Sequence, residues 1–263
     1  LPLPVKFIDT KSDLSVQVHP DDTMAMREHQ DRGKTEMWYV VDAEKDAYIY
    51  AGFKEELSAE EYAKRVEDGS IMDALAKHEI RTGDVFYIPA GRVHAIGKGI
   101  RLLEVQQSSD VTYRIYDYGR LGLDGKPRAL HTEYAAEALD FRVQKEYKNA
   151  YKDAIDTANP CLDTEHFSVR VVSLTQAIHR NMVGYDSFVI ATCTQGCCKI
   201  RIRSTRDEVE LNEGFSCLIP AAIADYEIIP ITPTAKLLEA YINNSSQKTF
   251  RRMISQFLHL SGF

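Results

Sequence analysis

Two histidines, a glutamate and a glutamine in the first hundred positions of this sequence have the types and spacing of a metal site. Gln17 and His19 stand two apart in Leu14-Ser-Val-Gln-Val-His19, an alternating stretch, so as a strand they project to one face. Glu36 and Trp38 share a face for the same reason. His94 ends Gly83-Asp-Val-Phe-Tyr-Ile-Pro89-Ala-Gly91-Arg-Val-His94, a strand followed by a Pro-x-Gly turn. Proline restricts φ and glycine allows it to turn positive, so such a turn can aim the following strand inward. Two imidazoles, a carboxylate and an amide oxygen make a four-donor set for one divalent cation, with room left for water or substrate. Zinc accepts nitrogen and oxygen donors. Iron(II), manganese and cobalt suit the set as well, because these donors are only mildly selective.

A cationic group accompanies the set. Lys34 lies two residues before Glu36 and points to the same side if the strand begins there. Arg114 shares a strand face with Thr112 and Tyr116. A guanidinium can grip a phosphate in two places or stabilise a developing oxyanion. Arg92 and Lys98 bracket His94 and read as solvated charges. His29, His78, His131, His166 and His179 lack comparable neighbours and read as structural or solvent-facing.

Strands must do most of the positioning. Alternation marks Met37–Val41, Ala47–Tyr50, Val85–Ile88, Ile100–Gln106 and Val111–Tyr116. One or two helices are expected between Leu57 and His78, where Ala, Glu and Lys dominate and Ser58 precedes Glu61 by three residues, a capping-box spacing. Residues 117–165 read as a connector holding an Asp124-Gly125 turn and a short helix, Thr132–Ala138. Strand patterns then return at Ser168–Leu174, Ser187–Ala191, Cys198–Ile202, Phe215–Ile219, Tyr226–Ile229 and Lys236–Ala240. Gly214 to Pro220 repeats the spacing of Gly83 to Pro89. Asp225 follows Pro220 as His94 follows Pro89, and Asp186-Ser-Phe188 echoes Glu36-Met-Trp38. The pattern predicts a mainly β protein of two jelly-roll β-barrels with a helical insertion in the first. The expected division is a metal-binding catalytic barrel over 1–140 (insert about 54–79), a second barrel over 141–242 without ligands, and a tail over 243–263. Within that tail, Gln247–Leu260 has a helical pattern and no assignable role.

Bulk properties narrow the partners. The net charge of −7 argues against nucleic acid or an anionic membrane, yet leaves a small phosphorylated molecule, which needs only a local cationic pocket. No apolar run approaches the ~20 residues of a membrane span. The opening Leu1–Phe7 reads as the interior of a domain rather than a signal peptide. Five cysteines, an odd number without Cys-x-x-Cys, read as reduced thiols of a cytoplasmic protein.

Five motifs together resemble the type I phosphomannose isomerases, metal-dependent members of the cupin superfamily, in their short bacterial form. They are Leu14-Ser-Val-Gln-Val-His-Pro-Asp-Asp22, Gly33-Lys-Thr-Glu-Met-Trp-Tyr39, Pro89-Ala-Gly-Arg-Val-His-Ala95, Leu103-Glu-Val-Gln-Gln107 and Asp110-Val-Thr-Tyr-Arg-Ile-Tyr-Asp117. The close match covers about residues 1–140, and beyond them it is mostly architectural. The resemblance implies zinc held by Gln17, His19, Glu36 and His94, a catalytic role for Arg114, and active-site positions for Lys34 and Asp110. It implies cupin barrels and the interconversion of mannose 6-phosphate with fructose 6-phosphate through a cis-enediol. The family has further residues ahead of the point where this chain begins, so an N-terminally trimmed chain is expected. Two other readings share the barrels: a metal-free sugar-binding regulatory domain, and an iron-dependent dioxygenase, which has no use for Lys34 or a phosphate-binding arginine.

Overall fold

Alternating apolar and polar side chains govern most of this chain. In the computed structural model, which describes residues 3–242, they form antiparallel sheets. The expected helix over Gln247–Leu260 lies outside the described residues. The chain divides into two units, Leu1–Asn149 and Ala150 onward.

The first unit runs β1 (Val5–Thr10), β2 (Val16–Val18), α1 (Asp22–His29), β3 (Glu36–Ala43), β4 (Tyr48–Phe53) and α2 (Ala59–Glu67). A 3₁₀ turn (Ser70–Ala74) leads to β5 (Leu75–Glu79), β6 (Val85–Ile88), β7 (His94–Ile96), β8 (Ile100–Gln106), β9 (Tyr113–Tyr116), α3 (Thr132–Ala138) and β10 (Lys148–Asn149). Two five-stranded sheets result, ordered β1-β8-β3-β6-β10 and β5-β4-β7-β2-β9. Trp38, Val40, Phe86, Ile88 and Leu102 of one sheet pack with Ile49, Ala51 and Ile96 of the other to fill the barrel. Alternate residues of the second sheet, among them Val16, Val18, Ala95, Tyr113 and Ile115, face outward. There they pack with Tyr62 of α2, Ile71 and Ala135 of α3.

Local chemistry explains several boundaries. Ser58 accepts from the Glu61 N–H while the Glu61 carboxylate accepts from the Ser58 N–H, so the expected capping box starts α2. The expected helical stretch ends sooner than its composition suggests. Residues 75–79 pair with β4 instead, because Leu75 and Ala76 are buried there and sheet contacts override helix propensity. Helix α1 was not anticipated, although Asp21 caps it by accepting from the Met24 N–H at 2.8 Å. The expected boundary at 140 is passed because Tyr147 donates to the Phe53 carbonyl at 2.8 Å and residues 148–149 pair with β6.

The second unit comprises β11 (Thr157–Asp163), β12 (Ser168–Leu174), β13 (Ile178–Asn181), β14 (Val189–Gln195), β15 (Cys197–Ile202), β16 (Glu208–Asn212), β17 (Ser216–Ile219), β18 (Asp225–Pro230) and β19 (Ala235–Tyr241). Its sheets are ordered β11-β12-β19-β14-β17 and β13-β18-β15-β16 around one apolar core. The connector expected through residue 165 therefore ends earlier. β11 escaped notice because Pro160 interrupts its pattern, which an edge strand with a bulge at that point tolerates.

Pairing register corrects the equivalences drawn from spacing. Glu36 pairs with Ile88, just before Pro89, and Val189 pairs with Ile219, just before Pro220. Val189, not Asp186, is thus the counterpart of Glu36. Asp225 faces solvent beside His179, while the next residue, Tyr226, is fully buried opposite Arg180. Tyr226 therefore takes the inward place that His94 holds opposite Gln17. A slip of one residue exchanges the two faces of a strand, so matching the count from the proline selected the wrong side. In this barrel Tyr226 donates to Glu239 at 2.7 Å, and Arg180 grips the same carboxylate at 2.7 and 2.9 Å. Among the described residues no helix is long and apolar enough to cross a membrane.

Candidate metal centre

Three close approaches bring the sequence motifs of the first barrel together. Gly33 passes against the start of α1 so tightly that a Cβ would lie 2.5 Å from the Asp21 and Asp22 backbone. Asp22 then accepts from the Gly33 N–H at 2.8 Å, and Gln107 accepts from the Thr35 N–H at 2.7 Å, which fixes the entry to β3. At the Pro-x-Gly turn, Gly91 adopts φ 85° and donates its N–H to the His19 carbonyl at 2.9 Å. Gln17 pairs in register with both His94 on β7 and Arg114 on β9.

The inward side chains converge. His19, Glu36 and His94 place their ligand atoms within 4.8 Å of one another. Each imidazole sits 3.5 Å from a different Glu36 oxygen through its Nε2. His19 Nδ1 donates to the Val111 carbonyl at 3.0 Å and His94 Nδ1 to the Arg92 carbonyl at 2.8 Å. Those second contacts leave both Nε2 atoms without a proton and turned to the cluster, the usual arrangement of ligating histidines. The Gln17 amide lies 3.3 Å from His94 Nε2, and turning the amide over exchanges its oxygen and nitrogen.

Burial sets the charge states. It lowers the His19 imidazole well below its ordinary value, helped by His94 and Lys34, and lowers His94 to about 4. Both rings are therefore neutral at physiological pH, the form that binds a metal. Burial likewise raises Glu36, against the pull of Lys34. His19 Nε2 and both Glu36 carboxylate oxygens are buried without a hydrogen-bond partner. Buried polar atoms are ordinarily satisfied, so three orphans converging on one point fit a divalent cation.

The other expected residues fall at different depths. Lys34 is buried with its Nζ 3.1 Å from Glu36 Oε2. Arg114 is half-buried at the edge strand, on the Gln17 face, and its Nε is buried without a partner. Asp110 is exposed on the loop between β8 and β9, next to Val111, whose carbonyl meets His19 Nδ1. Arg92 turns away and donates to the Tyr87 carbonyl at 2.7 Å. Glu104, for which the sequence pattern supplies no role, is 5% exposed within the barrel and accepts from the Trp38 indole at 3.1 Å. Burial and the nearby Glu36 charge raise its carboxyl. Its signal is a charge at the position that continues the inward face of Ile100 and Leu102.

No protein-family model matches the chain. The chain is 41% identical over 230 residues to the mannose-6-phosphate isomerase ManA of Bacillus subtilis, spanning 86% of this chain and 71% of that protein. Over 138 residues it is 46% identical to a mannose-6-phosphate isomerase of Streptococcus mutans, which covers 52% of this chain and 43% of the relative. A crystal structure of the mannose 6-phosphate isomerase from Bacillus subtilis matches with a TM-score of 0.82 at 31% identity, covering 91% of this chain and 75% of the other. A phosphomannose isomerase variant from Salmonella typhimurium, covering 92% of this chain and 78% of its own at 15% identity and a TM-score of 0.70, shares the fold.

Proposed function

Since this chain belongs to the mannose-6-phosphate isomerase family, we propose that its first barrel holds one zinc ion and interconverts mannose 6-phosphate with fructose 6-phosphate. The reaction class is aldose–ketose isomerisation of a phosphorylated hexose. The observation that supports the metal is the trio of orphaned atoms, His19 Nε2 and the two Glu36 oxygens, sealed inside the barrel beside His94. Gln17 completes the set through its amide oxygen. Two imidazoles with one carboxylate match a common catalytic zinc set. A metal-free regulatory domain would leave His19 Nε2 and Glu36 Oε1 uncompensated, with only Glu36 Oε2 paired to Lys34, and a dioxygenase would not need the cations beside them.

The chemical difficulty is a weakly acidic C2–H and the negative charge that its loss leaves on the enediol oxygens. When bound, the divalent ion supplies Lewis acidity to polarise the sugar carbonyl. Lys34, held by Glu36 inside the barrel, presents its Nζ protons to a developing oxyanion. Arg114 at the rim adds a guanidinium with one buried donor uncommitted, suited to the sugar oxygens or the phosphate. Asp110, exposed beside the Val111 carbonyl that holds His19, is a candidate for the proton-transferring base. The apolar residues around Trp38 close the barrel beneath and keep water from the enediol. Four of the five cysteines are buried thiols and none is paired, which suits the reducing cytoplasm we assign to the enzyme.

A coupled assay on mannose 6-phosphate tests the proposal. Activity should vanish with a strong chelator and return with stoichiometric zinc. Turnover that survives complete metal removal would overturn it.

A further inference from the structure

We infer that His131 is the positioning residue that holds Arg114 at the rim of the metal site. The inference rests on the isomerase reading for its effect on turnover, but its geometry stands independently. Arg114 lies on β9, an edge strand, where outward main-chain groups have no neighbouring strand. Residues 117–131 loop away and return along this edge. The Arg114 N–H donates to His131 Nδ1 at 3.0 Å, and the His131 N–H donates to the Arg114 carbonyl at 2.8 Å. Arg114 Nη1 then donates to the Ala129 carbonyl at 2.9 Å. One short segment therefore holds the residue at three points, backbone and guanidinium together. The loop is anchored at its other end by Asp117, which binds Arg120 and accepts from Arg128 Nε at 2.5 Å. Arg114 Nε remains buried without a partner, a donor kept in place for an incoming oxygen.

The grip works only with one form of the imidazole. Nδ1 can accept the Arg114 N–H only when it carries no proton, so the ring must be neutral with hydrogen on Nε2. The groups facing it are Arg114 and Tyr113 from β9 and His29 at the end of α1. Tyr134 of α3 stacks on Tyr113 behind them. Burial, then Arg114, then His29 lower the imidazole, which favours the accepting form. As pH falls through that lowered value the ring gains a proton on Nδ1, the bond to Arg114 is lost, and a second cation stands beside the guanidinium.

The test compares His131→Ala with His131→Asn, whose Oδ1 falls near the Nδ1 position, accepts the same N–H and does not titrate. His131→Ala should keep its bound zinc and lose roughly 10- to 100-fold in kcat with a smaller change in KM, and His131→Asn should recover most of it. Hydrogen exchange at the Arg114 amide gives a readout independent of turnover. That amide should be protected in the wild type near neutral pH, lose protection as the imidazole protonates, stay protected at acid pH in His131→Asn, and be open in His131→Ala. If the alanine variant fails to fold, the asparagine variant decides by its acid-pH protection. An Arg114 amide equally protected in all forms at every pH, or an alanine variant with wild-type kcat, would overturn the inference. A wild type that does not turn over mannose 6-phosphate would refute the isomerase reading instead, and the exchange data would still judge His131.

Discussion

Zinc should raise the thermal midpoint of the stripped protein by about 8–16 °C, and His94→Ala should abolish most of that rise. The folded protein buries His19 Nε2 and both Glu36 oxygens without hydrogen bonds. Each buried orphan costs about 1–3 kcal/mol, so the three together cost about 3–9 kcal/mol that a bound cation can offset. Lys34, 3.1 Å from Glu36 Oε2, already offsets part of it electrostatically, which favours the lower half of that range. By mass action, free zinc at about 1,000 times its dissociation constant contributes about 4.1 kcal/mol. For a unit of this size each kcal/mol moves the midpoint by about 2–4 °C, which gives the stated shift. The assay is calorimetry on chelator-treated protein across a zinc titration, with metal content measured in parallel. His94→Ala removes one imidazole donor but leaves His19, Glu36 and Lys34 in place. His78→Gln is the control: His78 is hydrogen-bonded to the Ala51 carbonyl and is not in the cluster, so its variant should retain the full zinc response. A His94→Ala protein that binds zinc stoichiometrically and shows an undiminished shift would refute the ligand assignment.

Two further outcomes separate chemistry from architecture. Arg114→Ala should retain zinc and lose about 10²–10³-fold in kcat/KM, the scale of one transition-state donor, and unchanged kinetics would remove Arg114 from the reaction. Arg180→Leu should destabilise the second unit by about 3–5 kcal/mol, because Glu239 keeps a buried charge without its partner. Urea denaturation checks this, and the double variant with Glu239→Leu should recover much of the loss. A neutral single variant would show that the pair contributes little, and zinc binding in the first barrel should be unaffected throughout.

Much of the fold was legible because strand alternation, the capping box and the Pro-x-Gly turn are local patterns. Helix α3 and most core strands lie where the pattern placed them. β5 and β11 did not announce themselves, since their residues suit a strand only when a neighbour is present to pair with. The repeat was visible, but spacing alone misassigned Asp186 and Asp225, because face depends on register and register is settled between strands. Glu104 carries no role in the sequence pattern and His131 reads there only as structural or solvent-facing, for a related reason: one is defined by what surrounds it inside the barrel, the other by a loop returning to an edge.

From sequence alone it follows that Gln17 and His19 share a side, that Glu36 and Trp38 share another, and that His94 leaves a turn able to point it inward; Lys34 lies ahead of β3, which begins at Glu36, so strand alternation did not place it. A period of two residues is a property of the backbone and needs no partner. Folding decided the rest. β2 had to lie between β7 and β9 for Gln17 to meet both His94 and Arg114, and Gly33 and Gly91 had to let distant backbone pass close. Those contacts join residues tens of positions apart, and only burial of the whole barrel supplies the free energy to hold them together.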